Sequence, residues 1–273
     1  MGMAGTGSIT FDWGDSVVET VGIGSVSHTY AQAGEKRISI RGDIKGITGL
    51  GASGLNLTSL TLRALSNMSG QINASGNGLL SRAELPASSG TFTTMDFRTT
   101  AVEELDFTYC PNLSGTIRAD STVTLKRVLF GRPKVGTPNI TLLYFPGTRL
   151  EGVLDLSPLW NINNCAMSIT SSPLLTNILW PDTPVTITGV CYLNTHGLDQ
   201  VLPFGSIIRT QNTVRLQSNG MSQALVDAYI MQFYNNRDLF NNTVTTKRLE
   251  IHGTNATPSA AVSAQIAELT NAT

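Results

Sequence analysis

VEELDFTYCPNLSGTI, residues 102–117, is the stretch of sequence that decides the fold. Apolar side chains stand at Val102, Leu105 and Phe107, and Cys110 follows three residues later. The alternation at positions 105 and 107 predicts a short strand with one buried face, and the small side chain at 110 suits a buried turn. The stretch therefore predicts one unit made of a strand and a turn.

The same spacing recurs at nearly constant intervals along the middle of the chain. The first positions of successive phrases are residues 57, 80, 102 and 125, which are separated by 23, 22 and 23 residues. A repeat of this length predicts an elongated stack in which each unit covers the next. The other phrases with this spacing are Leu57/Leu60/Leu62, Leu80/Ala83/Leu85, Leu125/Val128/Phe130 and Leu175/Ile178/Trp180.

A second apolar phrase accompanies the first. It reads MSGQI at 68–72, LSGTI at 113–117 and LEGVL at 150–154, and it trails phrases that start at 57, 102 and 140 by 11, 11 and 10 residues. The spacing changes before residue 175, because the phrase Ile140/Leu143/Phe145 comes early. We interpret that region as an irregular or inserted repeat.

The phrase at 102–110 resembles the leucine-rich repeat, whose pattern is L-x-x-L-x-L-x-x-N/C. The resemblance implies a mainly β, curved α/β solenoid of about nine strands, which we expect over residues 46–210. Leucine-rich repeats usually bind partners through outward strand residues, here Thr61, Asp106, Leu129 and Leu179. These positions carry few charges and no aromatic cluster, so a solvated or packed sheet face is the preferred interpretation of each.

Residues 1–45 differ from the repeats and predict a separate β cap. FDWGD at 11–15, SHTYAQAGEKRISI at 27–40 and RGD at 41–43 resemble the β-module of the polycystic kidney disease type, with its WGD turn and H-x-Y strand. The resemblance covers residues 8–43, which is about half of a module, and implies an abbreviated β-hairpin cap. Trp13 and Tyr30 then cover the apolar core of the first repeat.

Three polar residues of this cap allow two interpretations. Asp12, Asp15 and His28 contain the groups of a cation or catalytic site. Asp side chains that bond turn amides, and an imidazole that bonds across the hairpin, explain the same residues. We favour the structural interpretation.

Residues 211–273 predict terminal repeats and a helical cap. The phrase Gln211/Val214/Leu216 is followed by Asn219, which takes the hydrogen-bonding turn position of the repeat. Ser222 is a suitable helix N-cap. Apolar residues at helical spacing follow it, then a strand phrase, then Pro258 and the apolar face of a closing helix. These residues are Leu225, Val226, Tyr229, Ile230 and Phe233 in the first helix, Thr246, Leu249 and Ile251 in the strand, and Val262, Ile266 and Leu269 in the second helix.

This tail carries a further resemblance. VRLQSNGMSQALVDAYIMQFYNN at 214–236 and LEIHGTNATPSA at 249–260 are similar to the closing segments of leucine-rich-repeat surface proteins of Bacteroidetes and of virion proteins from phages that infect them. The resemblance implies binding or scaffolding rather than catalysis.

Composition limits the possible functions. Apolar residues make up 41% of the chain and charged residues 14%, and the formal net charge is -1. Such a balance gives no electrostatic basis for binding nucleic acid or anionic lipid. No run approaches the roughly 18 apolar residues of a membrane helix, and no signal peptide is evident in the numbered chain. Cys110, Cys165 and Cys191 lack metal-type spacing and are expected to be buried free thiols.

The motifs of common catalytic sites are missing from the sequence. There is no G-x-S-x-G nucleophile motif, and His28, His196 and His252 have no metal-ligand spacing, so solvated or backbone-bonded imidazoles are expected. Glu103 and Glu104 are expected to face opposite sides of a strand and so not to form a glycosidase pair. We interpret GITGLGASG, residues 46–54, as a flexible segment before the repeats, because no P-loop lysine follows it. We therefore predict no enzyme, and no catalytic, metal or cofactor-binding residue.

The sequence predicts a non-enzymatic structural or recognition protein of a virion or a cell surface. The first hypothesis is a phage virion component, in the tail, baseplate or a head appendage, that docks on virion subunits or on a host receptor. The alternative is a bacterial cell-surface leucine-rich-repeat adhesin, and a glycan-active enzyme is the least favoured hypothesis. Other proteins are the expected partners, and surface glycans and self-association stay open.

Overall fold

Short strands separated by tight turns dominate the structure, which is a computed structural model describing residues 1–88, 90–205, 207–210, 213–239 and 248–271. Four strands come first: β1 Gly2–Gly5, β2 Ser8–Asp12, β3 Val18–Gly22 and β4 Ser39–Gly42. Fifteen follow: β5 Ile47–Gly51, β6 Ser59–Thr61, β7 Gln71–Asn73, β8 Arg82–Glu84, β9 Thr94–Asp96, β10 Glu104–Phe107, β11 Gly115–Arg118, β12 Arg127–Phe130, β13 Ile140–Tyr144, β14 Glu151–Asp155, β15 Cys165–Ser168, β16 Leu174–Leu179, β17 Val185–Tyr192, β18 Ile208–Thr210 and β19 Thr213–Arg215. Last come helix α1 Gln223–Asn235, β20 Arg248–Glu250 and helix α2 Ser263–Asn271, and short 3-10 turns lie at Ile44–Gly46, Arg237–Leu239 and Ala260–Val262.

Consecutive strands of the middle region lie on opposite faces of a coil. The first face is one parallel ladder of β5, β7, β9, β11, β13, β15, β17, β19 and β20, with β18 also paired to β17. The second face consists of the parallel pairs β6–β8, β10–β12 and β14–β16. The predicted solenoid is therefore confirmed, as a mainly β solenoid of about seven turns with a short C-terminal helix.

The register of the first face stacks equivalent residues from coil to coil. Ile117 of β11 pairs with Met95 on one side and with Leu143 on the other. All three side chains are fully buried. Burying each such side chain contributes about 1.5–3 kcal/mol, so one repeated apolar position builds a continuous core. The same row continues through Leu50, Ile72, Met167, Cys191 and Val214.

The second face carries the phrases on which the sequence interpretation was based. Leu105 of β10 pairs with Val128 of β12, and Phe107 pairs with Phe130. The two phenyl rings stack with centroids 5.6 Å apart. Cys110 is buried after β10, as expected of the turn position.

Buried polar side chains fill the turns after seven first-face strands, from β7 to β19. Asn77 donates from Nδ2 to the carbonyl oxygens of Ala52 and Ala74, both at 2.8 Å, and its Oδ1 accepts from the amide nitrogens of Leu55 and Leu57. These bonds join two successive coils and satisfy backbone groups that would otherwise be buried without partners. We call the buried side chains at this position the polar ladder: Asn77, Thr100, Thr122, Thr148, Ser172, His196 and Asn219.

Asn219 repeats the geometry of Asn77, which confirms its predicted turn position. Its Nδ2 donates to the carbonyl oxygens of Leu193 and Leu216, and its Oδ1 accepts from the amide nitrogen of His196 at 2.7 Å. The residues expected at the start of two C-terminal strand phrases, Gln211 and Thr246, lie outside the described part of the chain.

His196 is the one imidazole of the polar ladder. Its Nδ1 lies 3.1 Å from the carbonyl oxygen of Ser172, and its Nε2 lies 2.6 Å from that of Ile169. Burial lowers the pKa of His196, against the opposing effect of these two carbonyls. The expectation of a backbone-bonded ring is confirmed, and the expectation of a solvated ring is wrong, because the turn is covered by the next coil.

The interpretation of 130–175 as an irregular or inserted repeat agrees with the register, since Ile117 pairs with Leu143, 26 positions later, whereas Met95 pairs with Ile117, 22 positions later. The assignment of its two apolar phrases is wrong. The phrase Ile140/Leu143/Phe145 belongs to β13 of the first face, and LEGVL at 150–154 belongs to β14 of the second face, where it pairs with β16. Each coil has two faces and therefore contributes two apolar phrases. Because both phrases have the same spacing, the spacing alone does not show which face a phrase belongs to. The expected nine repeat-like strands compare with about seven turns in the structure, and most of the phrases counted in the sequence belong to the second face.

Two N-terminal expectations also need correction. Residues 46–54 are not simply a flexible segment, since β5 pairs with both β1 and β7. The H-x-Y segment at 28–30 lies outside the strands. The cap is instead a three-stranded antiparallel sheet in the order β3–β2–β4.

Other elements adjoin the solenoid near both termini. At the N-terminal end, β1 lies antiparallel to β5 and pairs with its outer edge, and Trp13 joins the continuous core. At the C-terminal end, α1 begins after Ser222, whose Oγ accepts from the amide nitrogen of Leu225. Its buried side chains are Val226, Tyr229, Ile230 and Phe233.

Replacing Phe107 with Asp should unfold the solenoid. The change removes a buried ring, worth about 3–5 kcal/mol by itself, and leaves a carboxylate without a partner in the core. Thermal unfolding followed by circular dichroism measures the effect. Leu129→Asp is the matched control, because Leu129 lies on the paired strand but is 38% exposed. An unchanged melting temperature for Phe107→Asp would contradict the assigned core.

Replacing His196 with Asn should remove an acid-sensitive contribution to stability. The folded-state pKa of His196 is lowered, whereas the unfolded chain has a pKa near 6.5. This residue's stabilisation is therefore complete above about pH 6.5 and is lost as pH falls through the folded-state value. Urea unfolding between pH 4 and pH 8 measures it. The variant should lose stability less steeply below about pH 6.5, and parallel curves for both proteins would refute the assignment.

Candidate functional site

The outward side chains of the first face form a straight line across the coils. Each is the last residue of its strand, lies between two buried or half-buried apolar residues, and pairs in register with the next one along the sheet. We call this line the outer row: Asn73, Asp96, Arg118, Tyr144, Ser168, Tyr192, Arg215 and Glu250.

The centre of the outer row combines two tyrosines with two arginines. The guanidinium carbon of Arg118 lies 5.1 Å from the ring centroid of Tyr144, and that of Arg215 lies 4.1 Å from the centroid of Tyr192. Such stacking holds both planar groups in place. Ser168 lies between the tyrosines, on the strand that separates theirs. The Tyr strands are two spacings apart, about 9.6 Å.

The arginines of the outer row are paired with acids. Arg118 lies 3.1 Å from the carboxylate of Asp120, and Arg215 lies 2.7 Å from that of Glu250. Asp96 is the neighbour of Arg118 in the outer row, and Arg98 contacts it at 2.6 Å. This hydrogen bond raises the pKa of the Arg98 guanidinium. The row therefore presents planar polar groups with little unbalanced charge.

Gln217 links the end of the outer row to His252. Gln217 Nε2 donates to Glu250 at 2.9 Å and lies 2.7 Å from Nε2 of His252. The expected solvated or backbone-bonded imidazole at His252 therefore has a side-chain amide as its neighbour.

The second face contains a surface cavity of about 300 Å³ with several charged walls. Arg63 contacts Glu84 at 3.3 Å, and Arg127 contacts Glu104 at 2.9 Å. Its lining residues are Arg63, Ser81, Arg82, Ala83, Glu84, Leu85, Glu103, Glu104, Asp106 and Tyr109.

The expectation that Glu103 and Glu104 face opposite sides is wrong. Both line the cavity, because β10 begins at Glu104 and strand alternation does not extend to Glu103. Each carboxylate nevertheless has its own cation, since Glu103 lies 3.0 Å from Lys126 and Glu104 pairs with Arg127.

The outward positions predicted from the repeat pattern lie on the second face. Asp106 pairs in register with Leu129, and Leu179 pairs with Asp155. Leu129 is 38% exposed and Leu179 is 44% exposed, and Thr61 is exposed on β6. The sequence interpretation did not consider the corresponding line on the first face. In the sequence, two apolar residues flank each outward residue of this line. Asn, Thr, Ser or His stands three residues after the second apolar residue.

The polar residues of the N-terminal cap serve its own turns and ring stack. His28 lies 2.7 Å from the carboxylate of Asp15, and its ring stacks on Trp13 with centroids 4.8 Å apart. The hydrogen bond from His28 lowers the pKa of Asp15. Asp12 accepts from the amide nitrogen of Gly14 in the turn. These contacts agree with the structural interpretation of the three residues.

No histidine or cysteine is among the described residues that line the second-face cavity. Across the described ranges, no group of three or more His, Cys, Asp or Glu side chains is placed to hold a metal ion. Cys110, Cys165 and Cys191 are buried free thiols, as expected. Burial raises the pKa of Cys110 and of Cys165 to about 12. Among the residues with assigned positions, no helix is long and apolar enough to cross a membrane.

Comparison with known proteins gives no family assignment. No protein-family model, no curated protein and no solved structure matches this chain. The resemblances to leucine-rich repeats and to the polycystic-kidney-disease module therefore stay predictions.

Replacing His28 with Ala should lower stability without removing an activity. The change deletes the ring between Trp13 and Tyr30, and an aromatic contact of this kind contributes about 0.5–1.5 kcal/mol beyond area burial. We expect a melting temperature a few degrees lower, measured by calorimetry. His252→Ala, which removes an exposed imidazole, is the control. Loss of a measured turnover by an intact His28→Ala fold would contradict the structural role.

Proposed function

We propose that this chain is a non-enzymatic recognition or structural protein that acts outside the cytoplasm, as a phage virion component of the tail, baseplate or a head appendage. Its partners are other virion subunits or a receptor on the host surface. The observation that carries the proposal is the outer row, a rigid line of polar and aromatic side chains across seven coils and the C-terminal strand.

The way in which the outer row is supported favours recognition. Its strands are hydrogen-bonded to neighbours, and the polar ladder holds the turns that follow them. Tyrosines and arginines held in this way lose little conformational freedom on binding, and they are the side chains that contribute most to recognition surfaces. A solenoid also presents such residues over a longer surface than a globule of equal size.

The acids of the second-face cavity support a non-enzymatic role. Glu84, Glu103 and Glu104 each pair with an Arg or Lys side chain, and Asp106 accepts from Thr108. A glycan-cleaving enzyme needs two carboxyl groups that flank the bond it breaks, whereas the glutamates of this cavity contact neighbouring cations.

The sequence resemblances supply the virion context. The tail segments at 214–236 and 249–260 resemble the ends of leucine-rich-repeat surface and virion proteins, and Asn77 and Asn219 bond as the asparagines of such repeats are expected to. The alternative within the same class is a bacterial surface adhesin. Both use an exposed recognition face, and they differ in location.

Location therefore provides the test. Antibodies raised against the purified chain would be used for immunogold labelling of gradient-purified phage particles and of washed host cells, with mass spectrometry of both fractions. We expect labelled particles and peptides of this chain in the virion fraction. Label on uninfected cell surfaces would establish the adhesin instead. A chain found only in the cytosol would overturn both assignments.

A further inference from the structure

We propose that the first face binds a neutral oligosaccharide in a trough over strand β15, a proposal that rests on the recognition function above. The outward residues of β15 are Ala166 and Ser168, and both are small. The equivalent positions on the neighbouring β13 hold Leu142 and Tyr144, and Tyr192 stands next to Ser168 on β17. Larger side chains thus rise on both sides of Ser168 and on the β13 side of Ala166, where the pairing of β15 with β17 shifts register.

The two tyrosines leave ring surface available towards this trough. Arg118 and Arg215 stack on Tyr144 and Tyr192 from β11 and β19, the strands on the far sides from β15. The ring faces directed towards β15 therefore remain for a ligand. Both tyrosines are partly exposed, whereas Ser168 between them is only 6% exposed and forms the floor.

The chemistry of the trough matches a pyranose ring. The C–H face of a sugar packs on an aromatic face, and its hydroxyls need donors and acceptors at the edges. Tyrosine offers an apolar ring and a polar hydroxyl with few rotatable bonds. The phenolic hydroxyls of Tyr144 and Tyr192 both donate and accept. The estimated separation of about 9.6 Å between the tyrosine strands leaves room for one ring between the side chains.

The charge distribution selects a neutral ligand. Arg118 is bonded to Asp120 and Arg215 to Glu250, so an acidic sugar would have to compete with carboxylates already in place. The chain as a whole has a formal net charge of -1, which gives no attraction for nucleic acid.

A peptide strand is a poorer fit for this surface. Peptides that extend a sheet need an edge with free backbone groups. Strand β15 is hydrogen-bonded to β13 on one side and to β17 on the other, so only side chains are available in the trough. Recognition through side chains alone suits a glycan.

The test uses the purified full chain on an array of neutral and acidic oligosaccharides, followed by calorimetry with the best neutral oligosaccharide. The double variant Tyr144→Ala/Tyr192→Ala should weaken binding at least tenfold. Ser168→Trp, which fills the floor, should abolish binding by a different physical route. Tyr109→Ala removes a more exposed tyrosine from the second face and should change Kd less than twofold. Circular dichroism measures whether each variant is folded. If the double variant is unfolded, the binding measurement with Ser168→Trp tests the proposal.

Salt provides an independent readout. Between 0.1 and 1 M NaCl, binding of a neutral ligand should change less than twofold, because exposed charges are strongly screened over this range. The proposal is overturned if the chain binds no neutral oligosaccharide, binds acidic ones only, or keeps full affinity in the folded trough variants. The proposal is also overturned if a protein partner binds at the trough and the oligosaccharide does not displace it. If virions carry the immunogold label but the purified chain binds no glycan, this proposal alone is refuted. If the chain is found only in the cytosol, the proposed function is refuted.

Discussion

The parallel register of the first face is the constraint on which the other features of this protein depend. Ile117 lies between Met95 and Leu143, and the same alignment places Arg118 between Asp96 and Tyr144. Because neighbouring residues on a strand point to opposite faces, a slip of one position would exchange core and surface along the whole coil. The inward row builds the core and the outer row builds the outward face, so both depend on one set of backbone hydrogen bonds.

The polar ladder allows tight turns to be buried between coils. A buried turn leaves amide and carbonyl groups that cost free energy when they have no partner. Asn77 and Asn219 meet this need with one amide that bonds to two successive coils. His196 meets it with a titratable ring, which couples one position of the ladder to pH. The ladder thus holds the outer row in place from beneath the surface.

The two faces differ in how they use charge, although both pair their ions. On the second face, Glu103 and Glu104 form cross-strand ion pairs around a shallow cavity. On the first face, the paired arginines also stack on Tyr144 and Tyr192 and so position them. On the second face the ion pairs are solvated and contribute little to stability. On the first face the paired arginines also hold the tyrosine rings in place.

The sequence by itself determined the period, the buried positions of the decisive stretch and the C-terminal helix with its Ser222 cap, because these features depend on spacing within one strand or one helix. It did not determine which phrase belongs to which face, since both faces use the same apolar spacing, and LEGVL at 150–154 was assigned to the wrong set for this reason. Only the tertiary structure decided that Tyr144, Ser168 and Tyr192 adjoin, because residues 24 apart become neighbours through the length of each coil. The trough over β15 is a property of that alignment, which no local pattern in the sequence records.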